Sequence, residues 1–457
     1  MSDILYTSRI ILIQGTTLKT TKQKISSNWG LVLRTLFCTL LIANNAMQMH
    51  GQTLAEAFAD LLEYNPQIHS AETNALSSES AIGSEKSSRR PSVRLSLSSG
   101  YERYEDSISD DFSDGPSNTA TLSADQLIYD GGESRNRVLA AKQQYVSSKL
   151  QLYEVNETSA FQLTTTYLDV IRYRQLILLS EANIETYQIA LDKIREKFES
   201  GATPEADVLL LEARKSNAEA TLESRHLQLK SAETQFQNLT GKAPGTFSQP
   251  DFPTEKILTN LNIEDFADNP SIQVAKSNES LAEIQRNQLK GKFRPSISLS
   301  LQSTYRDSSR ASSVGEENSA FISLSYDIFD SGRRRNDTQK ANYEIQRASY
   351  DRYNIELDTY REYQDALNSL KISEGRIAQL SKYKANIEKV VSAYKEQFNL
   401  GQRALINVLD VENELFNASS SLAEEEIVRL QSAYRVMRTI GSLKTHLAQN
   451  FESKSIK

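Results

Sequence analysis

Residues 133–200 read ESRNRVLAAKQQYVSSKLQLYEVNETSAFQLTTTYLDVIRYRQLILLSEANIETYQIALDKIREKFES, 68 positions without one Gly or Pro, and the run closes on Gly201-Ala-Thr-Pro204. Through it apolar and small residues recur at steps of three and four: Val146, Leu150, Tyr153, then Ala160, Thr164, Tyr167, Ile171, then Tyr187, Leu191, Ile194, Phe198. That spacing is a helical seam with a polar back. At ~1.5 Å per residue the helix is about 100 Å long. A helix of that length does not fit inside a compact globule, so the seam predicts an elongated bundle.

The run occurs twice. At an offset of 200, Asp130, Gly132, Arg135, Asn136, Glu196, Phe198, Gly201, Val208, Leu209, Glu212, Asn217, Ala218 and Gly241 meet identical residues, without a gap. Upstream the offset becomes 204, with Asn65, Pro66, Arg90, Pro91, Leu95, Leu97 and Tyr101 matching Asn269, Pro270, Arg294, Pro295, Leu299, Leu301 and Tyr305. Duplication on this scale copies a large structural unit rather than a short solenoid repeat. The four-residue change of offset predicts a longer connection between Tyr101 and Asp130 in the first copy.

The domain order read from this is a leader (1–51), a first repeat (52–241), a linker (242–265), a second repeat (266–441) and a short tail (442–457). The leader carries Lys19, Lys22, Lys24 and Arg34 ahead of the apolar run Leu36–Ala43, with small residues at Ala46 and Gly51. This is the layout of a secretion signal, and the run is shorter than the ~20 residues that cross a bilayer as a helix. Cys38, the single cysteine, lies inside it, so the remainder has no thiol for disulfide, nucleophilic or metal chemistry. The first 51 residues hold five of the 52 Lys/Arg and one of the 59 Asp/Glu, which leaves a net charge of −11 for the rest. So acidic a chain is not built to hold nucleic acid.

Between the helices the period changes to two. Pro91–Tyr104 places Val93, Leu95 and Leu97 on one face and Ser92, Arg94, Ser96 and Ser98 on the other. An acidic loop (106–118) and a second run (119–129) follow. The second copy has runs at 295–305 and 319–329, with Ile297, Leu299, Leu301, Ile322, Leu324 and Tyr326 on the apolar side. Each run matches a membrane-crossing strand of ~9–11 residues, with one apolar, lipid-facing side. One chain supplies only four strands, and a sheet in lipid leaves no open edge. Barrels start at about eight strands, so the wall is shared: two chains give eight, three give twelve. The competing reading is a soluble coiled-coil scaffold whose hairpins are association modules.

No catalytic constellation is present. The four histidines (His50, His69, His226, His446) have no metal-ligand spacing. There is no Gly-rich phosphate loop, Gly-x-Ser-x-Gly or His-Glu-x-x-His motif. The expectation is a protein that is no enzyme and has no cofactor or metal.

At the second helix reversal, residues 398–416 read FNLGQRALINVLDVENELF. This resembles the signature of TolC-like outer-membrane efflux proteins, and in flavour the type I secretion branch. Thr53-Leu-Ala-Glu-Ala, Asn65-Pro66 and Tyr129-Asp-Gly-Gly132 resemble that family too. The resemblance implies a mainly α fold with a transmembrane β-barrel. Each duplicated unit is a β-hairpin plus a very long α-hairpin. A homotrimer has a 12-strand barrel in outer-membrane lipid, continued by an α-helical tunnel across the periplasm. It further implies a passive exit duct for type I protein secretion, or for small-molecule efflux as the alternative. The implied partners are a periplasmic adaptor (membrane fusion) protein and an inner-membrane ABC exporter or other pump. They dock at the hairpin tips, here Gly201, Pro204, Gly401, Gln402 and Leu405. By matching positions, Asp207 and Arg403 are expected to form a closing salt bridge and Asp410 a constricting acidic ring. Asn407 stands where relatives commonly carry a second Asp, and Phe398 where some carry a hydrogen-bonding Tyr.

Overall fold

A computed structural model of the chain describes residues 51–105, 112–250, 261–308 and 315–455. The predicted leader up to residue 50, and residues 251–260 of the predicted linker, lie outside them.

The two long helices are α3 (Glu133–Glu199) and α6 (Arg333–Asn399), each of 67 residues. Each is preceded by a strand and an Asp-x-Gly turn. Asp130 carboxylate oxygens accept the backbone N–H groups of Gly132 (3.1 Å) and Ser134 (2.6 Å), and Asp330 does the same for Gly332 (3.1 Å) and Arg334 (3.0 Å). An acidic side chain thus satisfies the orphan donors at the positive end of the helix. The middle turn residue is left-handed in both copies, Gly131 at φ +67° and Ser331 at φ +53°. They are not interchangeable. A Cβ on Gly131 would lie 2.4 Å from both Arg294 Cβ and the Gly291 carbonyl oxygen. Gly131→Ser is therefore expected to cost more than ~2 kcal/mol, from overpacking added to left-handed strain. The reverse change Ser331→Gly is expected to move the melting temperature little, and a comparable loss from both would contradict the steric argument.

At the far end both helices reverse on left-handed Gly201 and Gly401, both at φ +73°. Ala202 N–H reaches back to the Lys197 carbonyl (2.8 Å) and Gln402 N–H to that of Gln397 (2.9 Å), a Schellman-type closure that glycine permits. The chain returns along α4 (Glu205–Thr240) and α7 (Leu405–Thr439), which reach only half-way. The remaining length is covered by α2 (Pro66–Ser87) and α5 (Pro270–Lys292). Their first turns are capped by Asn65 and Asn269, whose Oδ1 accepts from Gln67 and Ser271 N–H (2.9 Å each). Asn269 Nδ2 also donates to the Thr439 carbonyl (2.8 Å), which splices α7 onto α5. Gly241, just past α4, lies against the Tyr64 ring at the start of α2.

The struts therefore form one layer. Helix α3 packs against α2 and α4 on one side and α5 and α7 on the other, while α6 packs against α5 and α7. The order across the layer is α2/α4, α3, α5/α7, α6. Each strut carries one strand at its upper end: β1 (Ser92–Glu105), β2 (Phe112–Tyr129), β3 (Ser296–Ser308) and β4 (Gly315–Ser325), in one antiparallel sheet of order β1-β2-β3-β4.

The sheet differs from the sequence expectation at its polar ends. Residues 112–118, expected in a loop, belong to β2, and the β1–β2 ladder continues to Glu105↔Phe112. Pairing is a backbone matter and persists where the side chains turn polar. Pro116 escapes the β2–β3 ladder, which begins at Ser117↔Ser308. In the second copy the strand spans Gly315–Ser325, so residues 326–329 lie outside it. The ladder of the first copy is the longer one, and the connecting residues 106–111 and 309–314, where a longer connection was expected, lie outside those described.

Halfway down the struts sits the main core. Helix α1 (Leu54–Tyr64) opens on a capping box, Thr53 Oγ1 accepting from Glu56 N–H (3.2 Å) and the Glu56 carboxylate from Thr53 N–H (2.8 Å). Its Leu54, Phe58 and Leu61 pack with Leu163, Tyr167, Phe236, Phe266, Tyr363, Leu367 and Tyr434. Within the predicted tail (442–457), Leu443–Ser455 form α8, whose Leu443 and Leu447 enter this core. Glu157 accepts Lys444 N–H at the start of α8 (3.1 Å), and burial pushes its carboxyl above the usual range.

The predicted seam of α3 is buried in its middle at Ala160, Thr164, Tyr167, Tyr187, Leu191 and Ile194. Toward the strands it turns over. Val146 is exposed, and Ser147 and Ser148 are buried, bonded to Asn278 (3.0 Å) and Ser78 (2.9 Å). Small hydroxyl residues let the helices approach there, which a pattern of apolar letters does not reveal.

Candidate functional site: the wall and the helical tips

Cross-strand pairing fixes which side chains share a face. One row runs Val93–Ala124–Leu301–Ala320, and its neighbours add Leu95–Leu122 and Leu97–Ala120. Leu299–Ile322 and Ile297–Leu324 complete the same face. Nothing among the described residues covers it: Val93, Leu97 and Ile322 are 71%, 72% and 73% exposed. The opposite rows, Arg94–Ser123–Gln302–Ser319 and Ser96–Thr121–Thr304–Glu317, are polar, with Phe321 as the apolar intruder. The predicted apolar set thus falls on a single side, except Tyr326, which lies beyond the end of β4. A large uncovered apolar band on a sheet is stable only against an apolar phase. Among the described residues no helix is long and apolar enough to cross a membrane.

The tips form a second, smaller core. Tyr187, Ala190, Leu191 and Ile194 of α3 pack with Val208, Leu211 and Ala218 of α4 and Leu409 of α7. Leu405, expected as a free docking residue, is half-buried against this core, while Gly201, Pro204, Gly401 and Gln402 are exposed. Asp207 is exposed in the first turn of α4 and accepts from Thr203 Oγ1 (2.7 Å). Arg403 donates to Gln397 Oε1 (2.8 Å) and lies over the Tyr394 ring, 3.6 Å from its centroid. Within one chain Asp207 and Arg403 are therefore engaged elsewhere, and no ion pair joins them. Phe398 faces the Lys197 ammonium at 4.9 Å, a cation–π contact between the two hairpins. Asn407 and Asp410, three apart on α7, share an exposed face.

One tip residue escapes the sequence reading. Arg214 Nη1 lies 2.7 Å from Asp410 Oδ1. The only trace in the sequence is a broken repeat, Arg214 standing where the second copy has Glu414. Among the described residues no group of His, Cys, Asp and Glu is arranged to hold a metal ion.

A layer of four strands over four struts, open at both edges and apolar on one side of its sheet, is a segment of the wall of a channel-tunnel. The family model for outer membrane efflux proteins matches residues 58–242 and 266–442, and the chain belongs to that family. It is similar to the outer membrane efflux protein BepC of Brucella suis, 21% identical over 86% of each chain. It is also similar to the outer membrane protein TolC of Escherichia coli, 20% identical over 89% of this chain and 84% of that one. Among solved structures, the CmeC outer membrane channel of Campylobacter jejuni aligns over 96% of this chain and 93% of its own, with a TM-score of 0.76 at 16% identity. The protein is thus an outer-membrane channel-tunnel for efflux or export, a passive channel and not an enzyme.

Proposed function

We propose that three copies of this chain close one 12-strand barrel in outer-membrane lipid and a 12-strut tunnel below it. The carrying observation is that, among the described residues, β1 and β4 each pair with one strand only and α2/α4 and α6 stand at the two ends of the layer of struts. Unpaired strand edges in hydrocarbon cost several kcal/mol per backbone group, so only closure satisfies them. The face of Val93, Leu95, Leu97, Ile297, Leu299, Leu301, Ile322 and Leu324 then meets lipid. The uncovered Val146, Tyr343 and Tyr350 are available to the next copy. Mass measurement of the detergent-purified protein tests this, and a monomer without pore activity in planar bilayers sinks it.

At the tips the reading is a gate. Asp207 of one copy and Arg403 of another are exposed or half-exposed and free of any ion pair within the chain, which leaves a closing bridge to form between copies. Phe398 and Asn407 carry no charge to add to it, and Asp410 lies one turn beyond. Asp207→Ala and Arg403→Ala are each expected to raise single-channel conductance on the order of several-fold, since the bridge holds the narrow end shut. Unchanged conductance in both variants removes the assignment. The exposed tips Gly201, Pro204, Gly401 and Gln402, with Leu405 beside them, suit docking by a periplasmic adaptor, behind which an inner-membrane ABC exporter or other pump supplies energy. The motif of residues 398–416 favours protein export as the cargo class. Co-purification of the adaptor with wild type but not with tip variants tests the docking surface.

A further inference from the structure

The carboxylates the sequence places near Asp410 suggest an acidic narrow end, but the side chains are arranged otherwise. Asp410 of α7 and Arg214 of α4 belong to different repeats and meet at 2.7 Å. Arg214 also lines the same cleft as Tyr187 of α3, whose ring is buried in the tip core. The guanidinium is thereby half-buried between α4 and α7 and fixed on the Asp410 carboxylate. The same α4–α7 seam closes again at Arg225–Glu424 (3.4 Å). The cleft between the two ion pairs is lined by Asn217, Asn413, Asn417 and Ser420, all uncharged. On α7 itself Glu412 is paired with Lys395, and Glu425 with Arg376 (2.9 Å). Asn407, one turn before Asp410, contributes no charge.

We propose that Arg214 sets the charge selectivity of the duct, neutralising Asp410 in every copy so that the narrow end passes anionic and cationic solutes with little preference. This rests on the reading of Asn407 and Asp410 as bore-facing. Opposite charges 2.7 Å apart lie well inside the screening length of ~8 Å at physiological salt. An ion passing at the axis therefore meets a dipole rather than a bare carboxylate, and three such pairs do not sum to a cation-attracting ring.

The test is the cation-to-anion permeability ratio, taken from reversal potentials of the purified full-length protein in planar bilayers under a KCl gradient. Wild type is expected near unity. Arg214→Gln is expected to raise the ratio on the order of threefold or more. Arg214→Lys keeps the wild-type ratio, and Arg214→Gln combined with Asp410→Asn restores it. Asn407→Asp adds uncompensated charge to the same face and raises the ratio independently. If Asn407→Asp raises the ratio and Arg214→Gln does not, the role of Arg214 is overturned while the bore-facing reading stands. If neither changes it, the bore-facing reading falls and the proposal with it.

Discussion

Leu301→Arg is expected to abolish accumulation of the folded protein in the outer membrane, while the adjacent Gln302→Arg leaves it near wild type. Leu301 stands in the row Val93–Ala124–Leu301–Ala320, half-way along the ladder and on the uncovered apolar face. Gln302 stands in the row of Arg94, Ser123 and Ser319, which already carries a cation. An arginine on the lipid face at mid-depth costs ~2–4 kcal/mol, and the proposed assembly of three copies would incur that cost three times. On the other face the same side chain enters water. A membrane fraction probed for the unheated oligomer on a denaturing gel reads the difference. Equal yields of the two variants would mean that the faces are assigned the wrong way round, or that the sheet does not meet lipid.

Tyr167→Ala is expected to lose ~3–5 kcal/mol of stability, the range for deleting a fully buried aromatic ring. Tyr167 is wholly buried, and its ring stacks on Phe247 at 4.1 Å. Its hydroxyl oxygen lies 2.6 Å from the carbonyl oxygens of both Gln52 and Ser248. Those two residues belong to the segments bridged at Gln52↔Phe247, so one side chain ties the entry to α1 and the crossing between repeats onto the shaft of α3. Tyr167→Phe separates the contributions. It keeps the stack but strips the carbonyls of their donor, at a cost of ~1–3 kcal/mol. Denaturant unfolding followed by helical circular dichroism measures both, and a Phe variant as stable as wild type would show that the hydroxyl is dispensable.

Much of the architecture is legible without coordinates. Helix α3 is visible because its 67 residues hold no Gly or Pro and keep a helical period, and α6 because it repeats that stretch with Gly375 as its one interruption; their ends are visible because Gly201 and Gly401 accept a left-handed backbone. The break at Asn65-Pro66 is equally local, the asparagine capping what the proline starts. The apolar strand faces follow from alternation alone. What was missed has a different character. Helix α8 has no periodic signature strong enough to stand out, and is helical because Glu157, from a helix far away in sequence, accepts its first N–H while Leu443 and Leu447 fill the core. The polar extension of β2 is held by its ladder, not its letters.

The candidate site divides in the same way. Gly401, Arg403, Asn407 and Asp410 stand out by motif, and Asp207 by its distance from Gly201. Arg214 does not, because nothing local marks one arginine among the solvated positions of α4.

From its letters alone the chain declares two copies of a strand pair on a helical hairpin, the length of the struts, and the side of each strand that shuns water. These are properties of backbone reach and of period, and both are local. Which strut lies beside which, that both layers end in open edges, and that Arg214 reaches Asp410 across 196 residues were decided only by packing. Contacts between distant segments depend on how close-packed surfaces fit, and no periodicity along the chain encodes that fit.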